Sequence, residues 1–296
     1  MSTPPFGLLN LNKPAGWTSR QAVDRVARLV KPAKAGHAGT LDPLATGVLV
    51  VCVGKATRLI GFVQAQPKTY RAEFLLGKRS DTDDVTGSVV DVECRRVPTR
   101  DEVDFALRGF LGRIEQIPPA FSAVHVDGRR AYKLARRGEA VDLSPRTVEV
   151  HRIDVIAYEF PLLNVEIDCG SGTYIRSIGR DLGEALACGG VMRELERTAV
   201  GPFTIDDAVD PRTLTAESLP QLLRPALTAA SHLPRHSCTP ENIADLRHGR
   251  RLRVEREEGP FTEGQLTALI APDGELAALA VPLDHGRFLQ PQQVFC

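Results

Sequence analysis

The sequence has no excess of either charge: Lys plus Arg and Asp plus Glu each total 37 in 296 residues, so composition alone does not announce a nucleic-acid binder. Its six cysteines include no Cys-x-x-Cys pair, and none of the seven histidines stands near a cysteine at zinc-ligand spacing. That excludes the common zinc modules and points to reduced, mostly structural thiols, with no metal site expected. No apolar run approaches the roughly 20 residues of a membrane-spanning helix. The N-terminal residues lack the basic region and apolar core of a secretory signal. A cytoplasmic protein with no membrane partner is therefore expected. P-loop and Rossmann patterns are absent, which argues against a nucleotide-binding enzyme using Gly170-Ser171-Gly172. No internal repeat is found. What remains is ordinary globular composition, 43% hydrophobic and 25% charged, in a chain long enough for one large core with or without a small appendage.

Against that background one stretch stands out, Gly36-His37-Ala38-Gly39-Thr40-Leu41-Asp42-Pro43-Leu44-Ala45-Thr46-Gly47. It is rich in turn formers and runs into Val48-Leu49-Val50-Val51-Cys52-Val53, whose length and β-branching suit a buried strand. A strand fixes one end of such a loop, and glycines let backbone approach a ligand. Alone, Asp42 before Pro43 reads equally well as a turn initiator or a helix cap.

The neutral total hides local asymmetry. Residues 1–41 carry Lys13, Arg20, Arg25, Arg28, Lys31 and Lys34 against Asp24 alone. Residues 125–152 carry Arg129, Arg130, Lys133, Arg136, Arg137, Arg146 and Arg152 against four acids. From residue 201 onward the balance reverses, with 13 acids and 9 arginines. Local basic faces on a neutral chain suit a polyanion gripped from one side, although each cluster alone is also an ordinary solvated surface.

Thr18-Ser19-Arg20-Gln21 has capping-box spacing, and Ala22, Val23, Val26, Ala27 and Val30 repeat at helical period until Pro32. Residues 69–75 read as a strand and 77–87 as an acidic loop. A second box, Thr99 with Glu102, opens a helix with Val103, Ala106, Leu107, Phe110 and Leu111 on one face and Gly112 beyond its end. Residues 129–137 form a short basic helix candidate. Alternating strands are expected around 148–156 and 163–169. Gly170-Ser171-Gly172-Thr173-Tyr174-Ile175-Arg176 then opens a helix through Ile178, Leu182 and Leu186. Prolines 220, 225 and 234 mark a boundary near residues 214–235, beyond which short strands, two of them joined at Asp273-Gly274, suggest a small β-rich module.

Taken in order, these motifs resemble the TruB-type tRNA pseudouridine synthases, which act on the T-loop uridine at tRNA position 55. The residues carrying the resemblance are Gly7-Leu8-Leu9-Asn10-Leu11-Asn12-Lys13-Pro14-Ala15-Gly16-Trp17-Thr18-Ser19, the loop of residues 36–47, Lys68-Thr69-Tyr70, Pro118-Pro119 with Ser122-Ala123, residues 172–176 and residues 195–203. They span roughly the first 205 residues. The tail is similar, on thinner grounds, to a PUA-like RNA-binding module.

The resemblance implies an α+β fold: a pseudouridine-synthase-like mixed, largely antiparallel central sheet with flanking helices, plus a small C-terminal β-rich PUA-like module. It divides the chain into a catalytic domain, 1–230, with an RNA-gripping insert at about 124–152, and an RNA-binding module, 231–296. By position, Asp42 matches the catalytic Asp, Tyr70 the Tyr that stacks on the target base, and Arg176 the Arg that pairs with the Asp. Tyr174 and Leu195 match further pocket positions, and His37 the His that fills the space left by extruded bases. Lys13 and Pro14 match a structural motif near the site. Arg129, Arg130, Lys133 and Arg136 would contact RNA. No cofactor is implied. The expected partner is the T-stem-loop of tRNA, bound by a monomer without a guide RNA. Two departures, His125 where Lys is usual and Glu196 where Arg is usual, put two phosphate contacts in doubt. A non-catalytic tRNA-binding or folding-assistance protein using the same surface is the competing reading, and joint retention of Asp42, Tyr70 and Arg176 favours the enzyme. A guide-RNA-dependent pseudouridylase subunit is disfavoured by the absence of long Lys-rich extensions.

Overall fold

A computed structural model describes residues 5–121, 125–126, 129–130, 143–254, 261–262 and 264–296. Its larger sheet is built outward from the apolar run after residue 46. β1 (Gly7–Lys13), β2 (Ala35–His37) and β3 (Thr46–Val53) form one side. β4 (Lys68–Leu76), the edge strand β7 (Gly112–Gln116), β10 (Arg146–Glu159), β11 (Leu162–Cys169) and β12 (Gly190–Val200) form the other. The order is β1-β3-β12-β4-β11-β10-β7, and every neighbouring pair is antiparallel except β3 with β12; the short β13 (Phe203–Thr204) pairs with the end of β12. This is the mixed, largely antiparallel α+β sheet expected.

β3 is buried on both faces because its side chains alternate between two cores. Leu49, Val51 and Val53 join a cluster with helix α1 (Ser19–Leu29), whereas Val48, Val50 and Cys52 join a second with Phe203, Ala226, Ala230, Leu279 and Phe295. A continuous apolar run is what such a doubly covered strand requires. The second core ties the C-terminal module to the larger sheet. Lys55 Nζ donates to Phe295 O at 2.6 Å, and the Phe6 and Phe295 rings stack 5.9 Å apart.

Helix α4 (Ile175–Ala185) lies against β4 and β12, the helices between it and α1 being α2 (Ile60–Ala65) and α3 (Arg100–Arg108). A Cβ on Gly179 would stand 2.5 Å from Phe74 Cδ1, so only glycine permits this approach. The C-terminal module is a five-stranded sheet, order β14-β16-β17-β18-β15, from β14 (Arg235–Ser237), β15 (Leu252–Arg253), β16 (Thr267–Ile270), β17 (Leu276–Leu283) and β18 (Phe288–Val294). Its β16–β17 turn contains Asp273-Gly274, with Gly274 at φ +85°.

Several expectations are corrected. The helix opened by Thr99 stops at Arg108 with Gly109 as C-cap, and Gly112 begins β7, because pairing with β10 recruits residues 112–116. Within the acidic loop, β5 (Lys78–Ser80) pairs with β6 (Val89–Asp91). Arg129 and Arg130 form β9 (Arg129–Arg130), opposite β8 (His125–Val126), and are not helical. The rest of that helix candidate, including Lys133 and Arg136, lies outside the described residues. Residues 146–152, assigned to the insert, are the first half of β10 in the main sheet. Arg152 there faces Glu166 at 2.7 Å and Asp168 at 2.8 Å, together with Asp154, so its charge is already matched.

Candidate active site

The site forms where the one parallel pairing of the main sheet is shortest. Strands β3 and β12 share only two registered pairs, Glu196 with Thr46 and Arg197 with Gly47, against nine between β12 and β4. The loop of residues 38–45 leads into that contact at Thr46, and its residues 38–42 line the adjoining cleft. That cleft, of about 410 Å³, is lined by Asp42, Tyr70, Tyr174, Arg176, Leu195 and Arg197, among others.

The opening motif holds this loop. Thr18 Oγ1 accepts from Gln21 N at 3.1 Å and Gln21 Oε1 accepts from Thr18 N at 2.7 Å, the capping box that fixes the start of α1. Ser19, in the first turn, is buried; its Oγ accepts from Leu41 N at 2.8 Å and donates to Leu41 O at 3.0 Å. Gly16 N donates to Pro43 O at 2.8 Å, and Ala45 N to Asp42 O at 3.1 Å. The residues on both sides of Asp42 are therefore held by backbone or buried hydroxyl contacts. Lys13 is fully buried, with Nζ donating to Pro14 O at 3.0 Å and Trp17 O at 2.7 Å, which closes the turn before α1.

Arg176 enters from the first turn of α4. Its Nε stands 3.1 Å from Asp42 Oδ2; Nη1 donates to Thr82 O at 3.0 Å and lies 3.5 Å from Asp84 Oδ2; Nη2 donates to Phe121 O at 3.1 Å. All three nitrogens have partners, so the guanidinium has one orientation. The helix start is fixed in turn by Gln116, whose Oε1 accepts from Tyr174 N at 2.7 Å and whose Nε2 donates to Tyr174 O at 3.0 Å. Asp84 is buried and accepts from Thr82 Oγ1 at 2.8 Å, Thr86 N at 2.9 Å and Thr86 Oγ1 at 2.5 Å.

Burial pushes the Asp42 carboxyl above the ordinary range; the Arg176 guanidinium opposes that shift, Asp84 adds to it and Lys13 opposes it. Burial lowers Lys13 and Lys68 to about 8 each. It also lowers His37, aided by Arg197 and Arg20, which keeps the imidazole neutral at pH 7. Tyr70 is raised by burial, with Arg197 opposing. An ionisable, half-buried carboxylate, held by a buried arginine, thus faces the cleft beside a tyrosine.

The structure brings together Asp42, Tyr70, Tyr174, Arg176 and Leu195 around one cleft, with Lys13 and His37 as near charged or polar neighbours. His37 sits in β2, and its Nδ1 is buried with no hydrogen-bond partner among the described residues. Glu196 lines a separate trough with Arg71 and Glu73. Ser19, Gln116, Lys68, Asp84 and Arg197 join the site through the tertiary structure. For Arg197 a signal existed: it lies two residues after Leu195 on a strand, and hence on the same face.

Residues 27–175 match the model of the TruB family pseudouridylate synthase N-terminal domain, and residues 176–230 that of the tRNA pseudouridylate synthase B C-terminal domain. The chain is similar to tRNA pseudouridine synthase B of Microcystis aeruginosa, 45% identical with 98% of this chain and 99% of that protein covered. It is similar to the protein of the same name from an Arthrobacter species, 41% identical over 98% of this chain and 96% of that one. Among solved structures, a Cbf5-Nop10-Gar1 complex contains a chain of TM-score 0.74 at 28% identity, with 98% of this chain and 85% of that chain covered. An H/ACA RNP bound to a substrate RNA containing 2′-deoxyuridine gives TM-score 0.73 at 26% identity, with coverage of 98% and 85%.

Proposed function

The chain belongs to the TruB family of pseudouridylate synthases and is a tRNA pseudouridine synthase; from that premise we propose that it isomerises the T-loop uridine at position 55, with Asp42 as the catalytic carboxylate. The observation that carries this reading is the 3.1 Å contact between Arg176 Nε and Asp42 Oδ2 in the cleft shared with Tyr70. On this reading the chain binds the tRNA T-stem-loop as a monomer, residues 1–230 doing the chemistry and 231–296 serving as the RNA-binding module. The insert, with Arg129 and Arg130 in β9, grips the RNA.

The target nucleotide is extruded from the folded loop, which costs a few kcal/mol. Stacking on Tyr70 offsets part of that, at about 1–3 kcal/mol per base. Tyr174 and Leu195 enclose the nucleotide, and neutral His37 fills the vacated stack. Asp42 must act as an anion. Desolvation works against this, and Arg176 offsets it through a guanidinium contact of a kind that binds carboxylates strongly. The carboxylate then assists rupture of the C1′–N1 bond, either by adding to C1′ or by removing the 2′ proton. The base turns while held, C5 joins C1′, and the hydrogen on C5 departs as a proton. No electron acceptor or group donor enters this balance.

A tRNA-binding role on the same surface would not require a carboxylate facing RNA. T-arm RNA tritiated at C5 separates the readings. Wild type is expected to release label to water, and Asp42→Asn to bind the RNA without release. A folded wild type that binds the RNA yet releases nothing sinks the enzyme reading, and equal release by the mutant removes Asp42 from the mechanism.

A further inference from the structure

Four cationic side chains are buried in or beside the cleft: Lys13, Lys68, Arg176 and Arg197. Arg176 has Asp42 and Asp84, and each lysine has backbone carbonyls. Arg197 differs. It is 2% exposed, and among the described residues no carboxylate lies within ion-pair distance of it. Its Nε donates to Val48 O at 2.7 Å and its Nη2 to Gly39 O at 3.2 Å, and it hydrogen-bonds the Tyr70 side chain. A guanidinium has five N–H donors, so these contacts leave donors unused. Its charge is felt by Lys13, His37, Lys68, Tyr70 and Cys169, none of them an anion at neutral pH. A buried charge without a counter-ion is costly, and this one is kept at the cleft wall.

Its position says which part of a bound nucleotide it would meet. Arg197 is the cross-strand partner of Tyr70 in the β12–β4 pairing, so the two side chains are neighbours on one sheet face. A base stacked on Tyr70 therefore places its edge beside the guanidinium. A ribose phosphate projects away from the base toward solvent and suits an exposed arginine better.

We propose that Arg197 contacts a carbonyl oxygen of the target base and stabilises the negative charge that forms on the ring as the C1′–N1 bond breaks. The inference rests on the reading of the cleft as a pseudouridine-forming site. When the bond breaks, its electron pair stays with the base and is delocalised from N1 onto the ring oxygens, where the fixed N–H donors meet it. Forming the C5–C1′ bond uses that pair, and the charge disappears. Donors in place before the charge develops need no reorganisation at the moment of reaction.

The test uses full-length wild type and Arg197→Gln in single turnover, at saturating enzyme, on T-arm RNA carrying uridine or 5-fluorouridine at the target position. Loss of the N-nucleoside is followed by chromatography of digested RNA. Fluorine stabilises the departing base anion, so that substrate depends less on the protein. Arg197→Gln is expected to slow uridine by about 100-fold, the loss typical of one such donor, and to slow 5-fluorouridine at least tenfold less. Equal slowing of both overturns the proposal, and equal slowing with weakened RNA binding assigns Arg197 to a phosphate instead. Because both substrates meet the same protein, a merely structural defect cannot produce the difference. If Arg197→Gln does not fold, Arg197→Lys is read by the same ratio, with unequal slowing again expected. A wild type inert on uridine overturns the underlying reading of the site, a result separate from any ratio.

Discussion

Gly47→Ala probes the seam on which the site depends. Gly47 has φ +99°, and a Cβ built on it stands 2.2 Å from Arg197 O and 2.9 Å from both Arg197 N and C. All three atoms are backbone, so no side chain can swing aside. Ordinary contact begins at 3.4 Å, and the strands would have to part by more than 1 Å at one of only two registered pairs. Positive φ costs a non-glycine residue about 1–2 kcal/mol, and overpacking adds about 1–3 kcal/mol. We expect a total near 4 kcal/mol. Gly16→Ala is the control: φ is +79°, with nothing within 4 Å of the new methyl, so only the backbone term of about 1–2 kcal/mol applies. At about 2–4 °C per kcal/mol, thermal unfolding should show Gly47→Ala about 10 °C below wild type and Gly16→Ala about 3–5 °C below. A Gly47→Ala protein as stable as Gly16→Ala would refute the reasoning that strand approach, and not glycine conformation alone, fixes this position.

Two further outcomes follow from the same geometry. Ser19→Ala strips Leu41 N and O of their buried partner, at about 1–3 kcal/mol for an unsatisfied group; tritium release should fall at least tenfold while T-arm affinity is unchanged, and loss of affinity with intact turnover would count against a positioning role. Lys13 is held at about 8 against 10.5 in the unfolded chain, so above pH 8 the unfolded state binds the extra proton and stability rises with pH. Between pH 8 and 10.5 wild type should gain up to about 3 kcal/mol relative to Lys13→Met, measured by denaturant unfolding; parallel pH profiles for the two proteins would contradict the shift.

Local rules read much of the chain. The Thr18 and Thr99 capping boxes, the buried strand after residue 46, the alternation of residues 163–169 and the Asp273-Gly274 turn each rest on chemistry contained within a few residues. Local pattern and structure differ where a distant strand decides the outcome. Residues 112–116 are strand because β10 offers them a ladder, and the helix before them ends three residues short of Leu111. The charge of Arg152 is matched by carboxylates on neighbouring positions of the same sheet surface, a compensation that linear charge counting cannot see.

The site divides along the same line. Order of motifs and residue type pointed to Asp42, Tyr70, Tyr174, Arg176 and Leu195, because that combination is specific in sequence. What surrounds Asp42 was decided only in three dimensions: Ser19 reaches across 22 positions to Leu41, Asp84 comes from a loop that reads only as acidic and polar, and Arg197 comes from a strand 155 residues away. Periodicity fixes which face a side chain occupies. Only packing decides whether a charged side chain on that face meets a counter-ion, and for Arg197, among the described residues, it does not.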